Sequence, residues 1–426
     1  MGWDSPTGGA CPKARGSAQQ VNICFVSREY PTEDHAGGIG TYTEKTARAL
    51  ARLGERVSVI TEAVDQPSVR VEEGVTVHRL PRSEGTRVGR LPHARTLART
   101  RAVAEAVWQL AEPPDILQAC EHGAEAFWYS LHAHPRTKLV TRLATPTAVV
   151  AELSPNAGLG ALKVACLDWL ERAQVRRSDA VFSMTDALAD VVCRRWRIPR
   201  TEVATVHTGV DFAERFEADP APLPPELEGV EFLLYFGRLE ERKGVHILAE
   251  ALPEILAAHP ELHCVFAGNN FLSYRGGTMQ EFVERCNAAY RDRLHFYPRV
   301  PQKQLHSLLA AALLAVLPSL WEALANATLE AQDMGRPVVA TTGCGFGEVV
   351  EDGRTGLLVP PGDVAALRGA LLDLLADRRA LAEMSVAAKE RTRDVFSLDR
   401  TAQEHLAFYR ALLDVPAPAP LGVVTA

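Results

Sequence analysis

Glu322 and Glu330 stand eight positions apart in PSLWEALANATLEA, residues 318–331, on either side of a turn from a strand pattern to a helix pattern. Carboxylates placed there can accept hydrogen bonds from several hydroxyls at once, and those of a sugar or a ribose are the natural partners. Arg238 and Lys243 bracket the loop of FGRLEERKG, residues 236–244, where two cations suit a diphosphate in charge and in hydrogen bonding. Gly37, Gly38 and Gly40 follow a strand and open a helix in REYPTEDHAGGIGTYTEKTARAL, residues 28–50, so backbone N–H groups can approach an anion there. Each feature also has a plainer reading. Glu322 could cap a helix and Glu330 face solvent, the two cations flank Glu240, Glu241 and Arg242 in one charge cluster, and glycines ease turns. The glycines do not form G-x-G-x-x-G, so no dinucleotide fingerprint is read here.

Bringing these groups together needs strands that end along one edge. Apolar runs at VNICFVS (21–27), RVSVIT (56–61), DILQAC (115–120), KLVTRLA (138–144), AVFSM (180–184) and VATVHTGV (203–210) read as strands, several of them buried on both faces. Helical patterns at 38–53, 95–111, 159–177 and 185–196 separate them. The prolines of ADPAPLPPELEG, 218–229, bar both helix and ladder. The alternation then restarts with EFLLYFG (231–237), LHCVFAG (262–268), LHFYPRV (294–300), LLAVLPS (313–319), PVVAT (337–341) and GLLVP (356–360), and closes on helices near 363–392 and 397–413. The expected fold class is α/β, two doubly wound parallel-sheet domains facing a cleft, which also suits a chain of 426 residues. The expected boundaries are a disordered leader at 1–20, a first domain at 21–217, a linker at 218–229 and a second domain at 230–395. A helix at 396–414 then packs back on the first domain, and a flexible tail occupies 415–426. Ligands of such sheets bind at the carboxyl ends of the strands, and the domains are expected to close on them.

Composition excludes several classes of function. The net charge of −7 provides no basic field for nucleic acid, and the local cluster at 82–101 reads as a solvated loop and helix face. No apolar run reaches eighteen residues, so no stable membrane insertion is expected. None of the eight cysteines forms a Cys-x-x-Cys pair, which speaks against a zinc ribbon and for a reduced, cytoplasmic protein.

Taken together, the motifs resemble glycosyltransferase family 4, whose members have the GT-B fold of two Rossmann-like domains. The family's Glu-x7-Glu signature, PSxxEGFGxxxLEAMAxGxPVVAT, is met by PSLWEALANATLEAQDMGRPVVAT, followed by GEVVEDGRTGLLVPPGD. GRLEERKG matches the family's GRLxxxKG, AGGIGTYTEKTARALARLG its glycine loop, and VHTGVDFAERF its IPNGVDxxxF. The resemblance runs from about residue 21 to 410. It implies a retaining transfer from a nucleotide-diphosphate sugar, a UDP or GDP sugar, to a small-molecule acceptor, with no metal and no further cofactor. Arg238 and Lys243 would bind the diphosphate and stabilise the leaving group, Glu330 would hold the ribose, and Glu322 would contact the transferred sugar. The backbone of Ala323, Leu324, Ala325 and Asn326 would take sugar hydroxyls and phosphate, Arg299 and Val300 the base. Gly37, Gly38 and Gly40 would approach the donor from the other domain, where His35, Glu121, His122, Ala144 and Thr145 line the acceptor side. Self-association into a homodimer is left open.

The chain departs from the family in three places. Ala323-Leu324-Ala325 replaces Gly-Phe-Gly, where any residue with positive φ would be strained. Cys344 replaces the first glycine of a Gly-Gly-x-x-Glu segment that keeps Gly345 and Glu348. Ala144 in TRLATP stands where the family often has histidine, so His35, His122 or Glu121 would have to substitute, or the acceptor would need little deprotonation, as a sulfur nucleophile does. Secondary-metabolite biosynthesis is the expected setting. The rival readings are a non-catalytic nucleotide-sugar binder and a GT-B epimerase or phosphorylase.

Overall fold

The computed structural model describes residues 20–31, 38–63, 66–81, 94–153, 160–211, 213, 216, 221–270, 273–298, 300–324 and 326–414. Eight strands build the first sheet: β1 (Asn22–Val26), β2 (Arg56–Glu62), β3 (Ser68–Glu72), β4 (Val75–Leu80), β5 (Ile116–Cys120), β6 (Lys138–Leu143), β7 (Ala180–Ser183) and β8 (Val203–Thr205). Their order is β3-β4-β2-β1-β5-β6-β7-β8, and every pair is parallel except β3 with β4. The central strands NICFV and ILQAC are buried along their whole length, as strands covered by helices on both faces must be.

Strands β3 and β4 are absent from the sequence reading. They form a hairpin whose two-residue turn, Glu73-Gly74, has positive φ at both positions, the geometry that matches strand twist. Val69 and Val71 on the edge strand β3 stay exposed. Half-exposed strands alternate apolar with polar residues, so a search for continuously apolar runs passes over them.

The second domain holds two further sheets. β11 (Ser273–Tyr274) and β12 (Gly277–Thr278) make a small antiparallel hairpin. β9 (Glu231–Phe236), β10 (Leu262–Ala267), β13 (Leu294–Tyr297), β14 (Leu314–Leu317), β15 (Val338–Thr341) and β16 (Gly356–Val359) form a parallel sheet in the order β13-β10-β9-β14-β15-β16. Apolar clusters cover both of its faces, one built on the helix Val245–Ala258 and one on the helices Gln302–Ala311 and Asn326–Asp333.

The helical pattern expected at 363–392 is two helices, Val364–Ala376 and Arg378–Val395, divided at Asp377, whose carboxylate caps the second. The final helix, Leu398–Asp414, buries Leu398, Ala402, Leu406 and Tyr409 against Phe25, Tyr42 and Leu50 of the first domain. A hydrogen-bonded network fixes it there: Tyr42 bonds His405 Nε2 at 2.7 Å and receives Gln118 Nε2 at 3.1 Å, while Tyr409 donates to Gln118 Oε1.

The two domains also meet at their facing edges. Thr185 Oγ1 donates to the Ala323 carbonyl at 2.7 Å, and the Glu348 carboxylate accepts from the backbone N–H of Asp186 and Ala187 at 2.9 and 3.0 Å. Trp321 and Ala323 pack with Leu143, Val181 and Leu188 of the first domain. At the other side of the cleft, Gly38 lies so near Asn326 that a Cβ on it would sit 3.3 Å from Asn326 Nδ2.

Candidate active site

The loop after β9 and the loop after β14 are brought together by Gly244. Its φ is 67°, and a Cβ there would lie 1.8 Å from the Pro318 carbonyl oxygen, so only glycine allows the approach. The Leu320 N–H then donates to the Arg242 carbonyl at 2.9 Å, locking one loop on the other.

This approach delivers Lys243 to Glu322. Lys243 Nζ donates to Glu322 Oε1 at 2.6 Å, and Arg242 Nη1 reaches the same oxygen at 3.3 Å. Arg242 Nη2 in turn donates to Glu240 Oε1 at 2.9 Å, and Arg238 Nη2 lies 3.2 Å from that atom. The result is a chain of alternating charge, Arg238–Glu240–Arg242–Glu322–Lys243, in which both carboxylates are buried while the Arg238 side chain is 62% exposed. From the sequence, Arg238 and Lys243 are the expected pair of cations, with Glu240, Glu241 and Arg242 between them. Arg242 is instead the cation that joins Lys243 at Glu322. Nothing in the local spacing marks it, because the partner loop comes from 80 residues away.

Glu330 lies partly buried on the helix Asn326–Asp333. Burial raises its pKa above the ordinary carboxylate value, opposed by the charge of Lys45 and reinforced by Asp211. Lys45, buried on the helix Gly38–Arg52, lies 3.4 Å from Asp211. Neither residue was singled out in the sequence. Gly40 is buried one turn from Lys45, and Gly38 opens the helix beside Asn326, so two helix N-termini, each with spare N–H donors and a positive dipole end, converge beside Glu330.

Ala323 is buried and Leu324 partly so, and neither has a positive φ, so the strain that a left-handed backbone would bring is not present at them. Gly345 explains why its neighbour can change: a Cβ on Gly345 would meet the Ala323 carbonyl at 2.0 Å, whereas Cys344 is accommodated as a buried thiol near Thr341. Val300 packs among the apolar residues beneath the second sheet. His35, Gly37, Arg299 and Ala325 lie outside the described residues.

On the first domain, two buried carboxylates staple the loops after β5 and β6. Glu121 accepts from the backbone N–H of Ala144 and Thr145 at 2.6 and 2.7 Å. Glu171, from the helix Ala161–Val175, accepts from the Gly123 and Thr147 N–H groups, each at 2.9 Å, and from the Thr147 hydroxyl. Burial raises both pKa values, that of Glu171 to about 7, with His122 the largest opposing influence on each. Glu121 therefore serves as a backbone clamp and not as a free base in place of the family histidine. Gly123 and Ala124 turn the loop through two consecutive left-handed residues, φ 77° and 53°, a conformation that costs Ala124 about 1 kcal/mol. His122 Nδ1 meets the Thr145 carbonyl at 3.0 Å. Nothing local in the sequence marks Glu171, because a carboxylate in a helix pattern is told from an exposed one only by its neighbours in the fold.

The basic stretch at 82–101 needs a correction at Arg99. Its side chain is largely buried between Glu62, at 3.2 Å, and Glu125, at 2.5 Å, beside the carboxyl ends of β1 and β2. Residues 82–93 lie outside the described residues. Among the described residues no group of three or more His, Cys, Asp or Glu side chains could hold a metal ion, and no helix is long and apolar enough to cross a membrane.

Comparison with known proteins agrees with this geometry. Residues 224–391 match the family described as Glycosyl transferases group 1, and residues 37–209 match the Glycosyl transferase 4-like domain. The chain is 31% identical to a glycogen synthase of Mycobacterium tuberculosis, over 92% of this chain and 95% of that one. The chain belongs to glycosyltransferase family 4. It is thus a transferase enzyme with the GT-B fold, which removes the non-catalytic reading. This family 4 chain is also 28% identical to a D-inositol 3-phosphate glycosyltransferase of Streptomyces avermitilis, covering 90% of this chain and 85% of the relative. Its fold matches that of HepE from Anabaena, solved in complex with UDP-glucose, with a TM-score of 0.66 at 19% identity, over 92% of this chain and all of that one.

Proposed function

We propose that the enzyme moves a sugar from a nucleotide-diphosphate sugar, a UDP or GDP sugar, to a small-molecule acceptor with retention of anomeric configuration. The observation that carries this reading is the Lys243–Glu322 pair at the carboxyl ends of β9 and β14, with Arg242 behind it and Glu330 beside two converging helix N-termini. A diphosphate entering here meets Lys243, the outward-facing Arg238 and spare backbone N–H donors. Such preorganised positive groups stabilise charge as it develops on the leaving phosphate. Glu330, charged or neutral, offers the ribose hydroxyls an acceptor in a partly dry site, where hydrogen bonds weigh more. Glu322, held by two cations, keeps an acceptor oxygen for the transferred sugar. The acceptor would enter on the first-domain side of the cleft, against the loops after β5 and β6 that Glu121 and Glu171 staple together. Biosynthesis of small glycosylated compounds in the cytoplasm suits this reading.

The test is a thermal-shift panel of UDP-, GDP- and ADP-sugars, followed by transfer assays with matched alcohol and thiol acceptors and NMR of the product's anomeric centre. The reading expects stabilisation by one nucleotide class and a product with the donor's anomeric configuration. An inverted product, or no stabilisation by any nucleotide sugar, would remove it.

A further inference from the structure

The helix Ala161–Val175 buries Leu167, Leu170, Glu171 and Gln174 on its inner side and turns another face to water. On that outer face stand Leu162, Trp169, Arg172 and, just past the helix end, Arg176. Steps of seven, three and four residues return to the same side of a helix, so these four form one stripe, apolar at its start and basic at its end. Leu162 is 73% exposed and Trp169 60% exposed, although side chains of this kind are usually covered. Trp169 is held in place by stacking on Phe127, with ring centroids 5.9 Å apart.

The helix Asp186–Trp196 ends beside this stripe. Arg176 Nη2 donates to the Trp196 carbonyl at 3.1 Å, and Trp196 Nε1 donates to Asp168 at 3.0 Å. The two helix ends thus pool Arg172, Arg176, Arg177, Arg194 and Arg197, none of which forms an ion pair among the described residues. The acids on the same elements are engaged elsewhere. Arg195 holds Asp168 and Glu152, Arg200 holds Asp186 and Asp190, and Glu171 faces inward. Exposed Glu202 alone does not balance five arginines. The negative ends of two helix dipoles account for cations here, but not for a leucine and a tryptophan left in water next to them.

We infer that this face docks the enzyme on an anionic lipid surface, through headgroups on the arginines and the shallow apolar boundary on Leu162 and Trp169. Guanidinium groups bind phosphate oxygens in pairs, and tryptophan favours the boundary between headgroups and acyl chains. A nucleic acid or other soluble polyanion would use the arginines but would leave Leu162 and Trp169 in water. The enzyme lies on the surface and does not span it, since no helix among the described residues is long and apolar enough to cross. The inference goes beyond the proposed function and needs no nucleotide sugar: it concerns where the enzyme works and not what it transfers.

The test is co-sedimentation of the full chain with vesicles of phosphatidylcholine alone and of phosphatidylcholine mixed with phosphatidylglycerol. Wild type should bind the mixed vesicles and not the neutral ones, and should be released as salt rises. Arg172→Gln, Arg194→Gln and Arg197→Gln remove side chains that make no hydrogen bond among the described residues. Each should lower the partition coefficient about fivefold, and the triple variant about 100-fold. Trp169→Ser and Leu162→Ser should weaken vesicle binding at unchanged charge, while any retention of a single-stranded oligonucleotide stays as in wild type. Unchanged melting temperatures show that the variants fold. Three results would overturn the inference. They are no binding of wild type to the mixed vesicles, a triple variant within about twofold of wild type, or vesicle binding indifferent to Trp169 and Leu162, which would assign the arginines to a soluble polyanion.

Discussion

Lys243 Nζ and Glu322 Oε1 lie 2.6 Å apart, although 79 residues separate them in the chain. The contact exists because Gly244 lets the loop after β9 touch the backbone at Pro318. It gives Lys243 an anionic partner and fixes its ammonium at the carboxyl ends of β9 and β14, where on the proposed function a donor diphosphate would lie.

Lys243→Ala should lower kcat/KM by about two to three orders of magnitude, the usual cost of removing one preorganised charge from a leaving group. Because Glu322 is buried but keeps Arg242, the melting temperature should fall only modestly. Steady-state kinetics near the wild-type level would show that Lys243 only neutralises Glu322.

Arg242→Gln tests the other half of the pair. Arg242 bridges Glu240 and Glu322, both buried, so its loss leaves two carboxylates with fewer counter-charges and should cost about 2–3 kcal/mol of stability. The catalytic effect should appear in kcat and not in the donor KM, since Arg242 acts through Glu322. Urea unfolding and kinetics on the same preparation separate the two.

Glu330→Gln preserves shape while weakening hydrogen bonds to the ribose, each worth about 1.5–3 kcal/mol when charge-assisted. Calorimetry should show weaker binding of the nucleoside diphosphate. Unchanged affinity would assign Glu330 to the Lys45–Asp211 neighbourhood alone.

Two buried groups should give stability opposite slopes with pH. Burial lowers the pKa of His405 to about 4, against 6.5 for a free histidine, so the unfolded chain binds a proton that the folded one refuses. Stability from His405 is therefore lost as pH falls from 6.5 to about 4, by at most about 3 kcal/mol. Burial raises Glu171 to about 7, so here the folded chain holds the proton longer, and stability is lost as pH rises from 4.5 to about 7. The cost of His405→Asn should accordingly shrink toward acid pH and that of Glu171→Gln toward neutral pH, measured by urea unfolding across about pH 4.5–7.5. Parallel curves for the two variants would contradict the assignment.

Glu348→Ala should loosen the clasp on the helix Asp186–Trp196 and enlarge the radius of gyration in small-angle scattering. Because wild type already makes these contacts, a saturating nucleoside diphosphate should compact the variant more than wild type. Equal response in both would mean that the clasp does not govern domain closure.

The sequence by itself determined the two alternating α/β halves, the loops after strands that carry Lys243 and Glu322, the helix pattern that carries Glu330, and the glycines that ease the turn into the first helix. These are local properties: an apolar run, a proline-rich break or a glycine before a helix acts through its immediate neighbours. What the tertiary structure decided is which charges meet. Arg238 and Arg242 are four residues apart in one charged loop, yet one faces out and the other closes on a carboxylate delivered by β14. Likewise Glu121 and Glu171 look like ordinary acids in the chain, and only the packing of β5, β6 and the helix Ala161–Val175 turns them into buried staples around His122. The edge hairpin of β3 and β4 is the converse case, since its alternation follows from which face the rest of the domain covers. Ion pairing, burial and pKa depend on distances between segments remote in sequence, and those distances are set only when the sheets and their covering helices have packed.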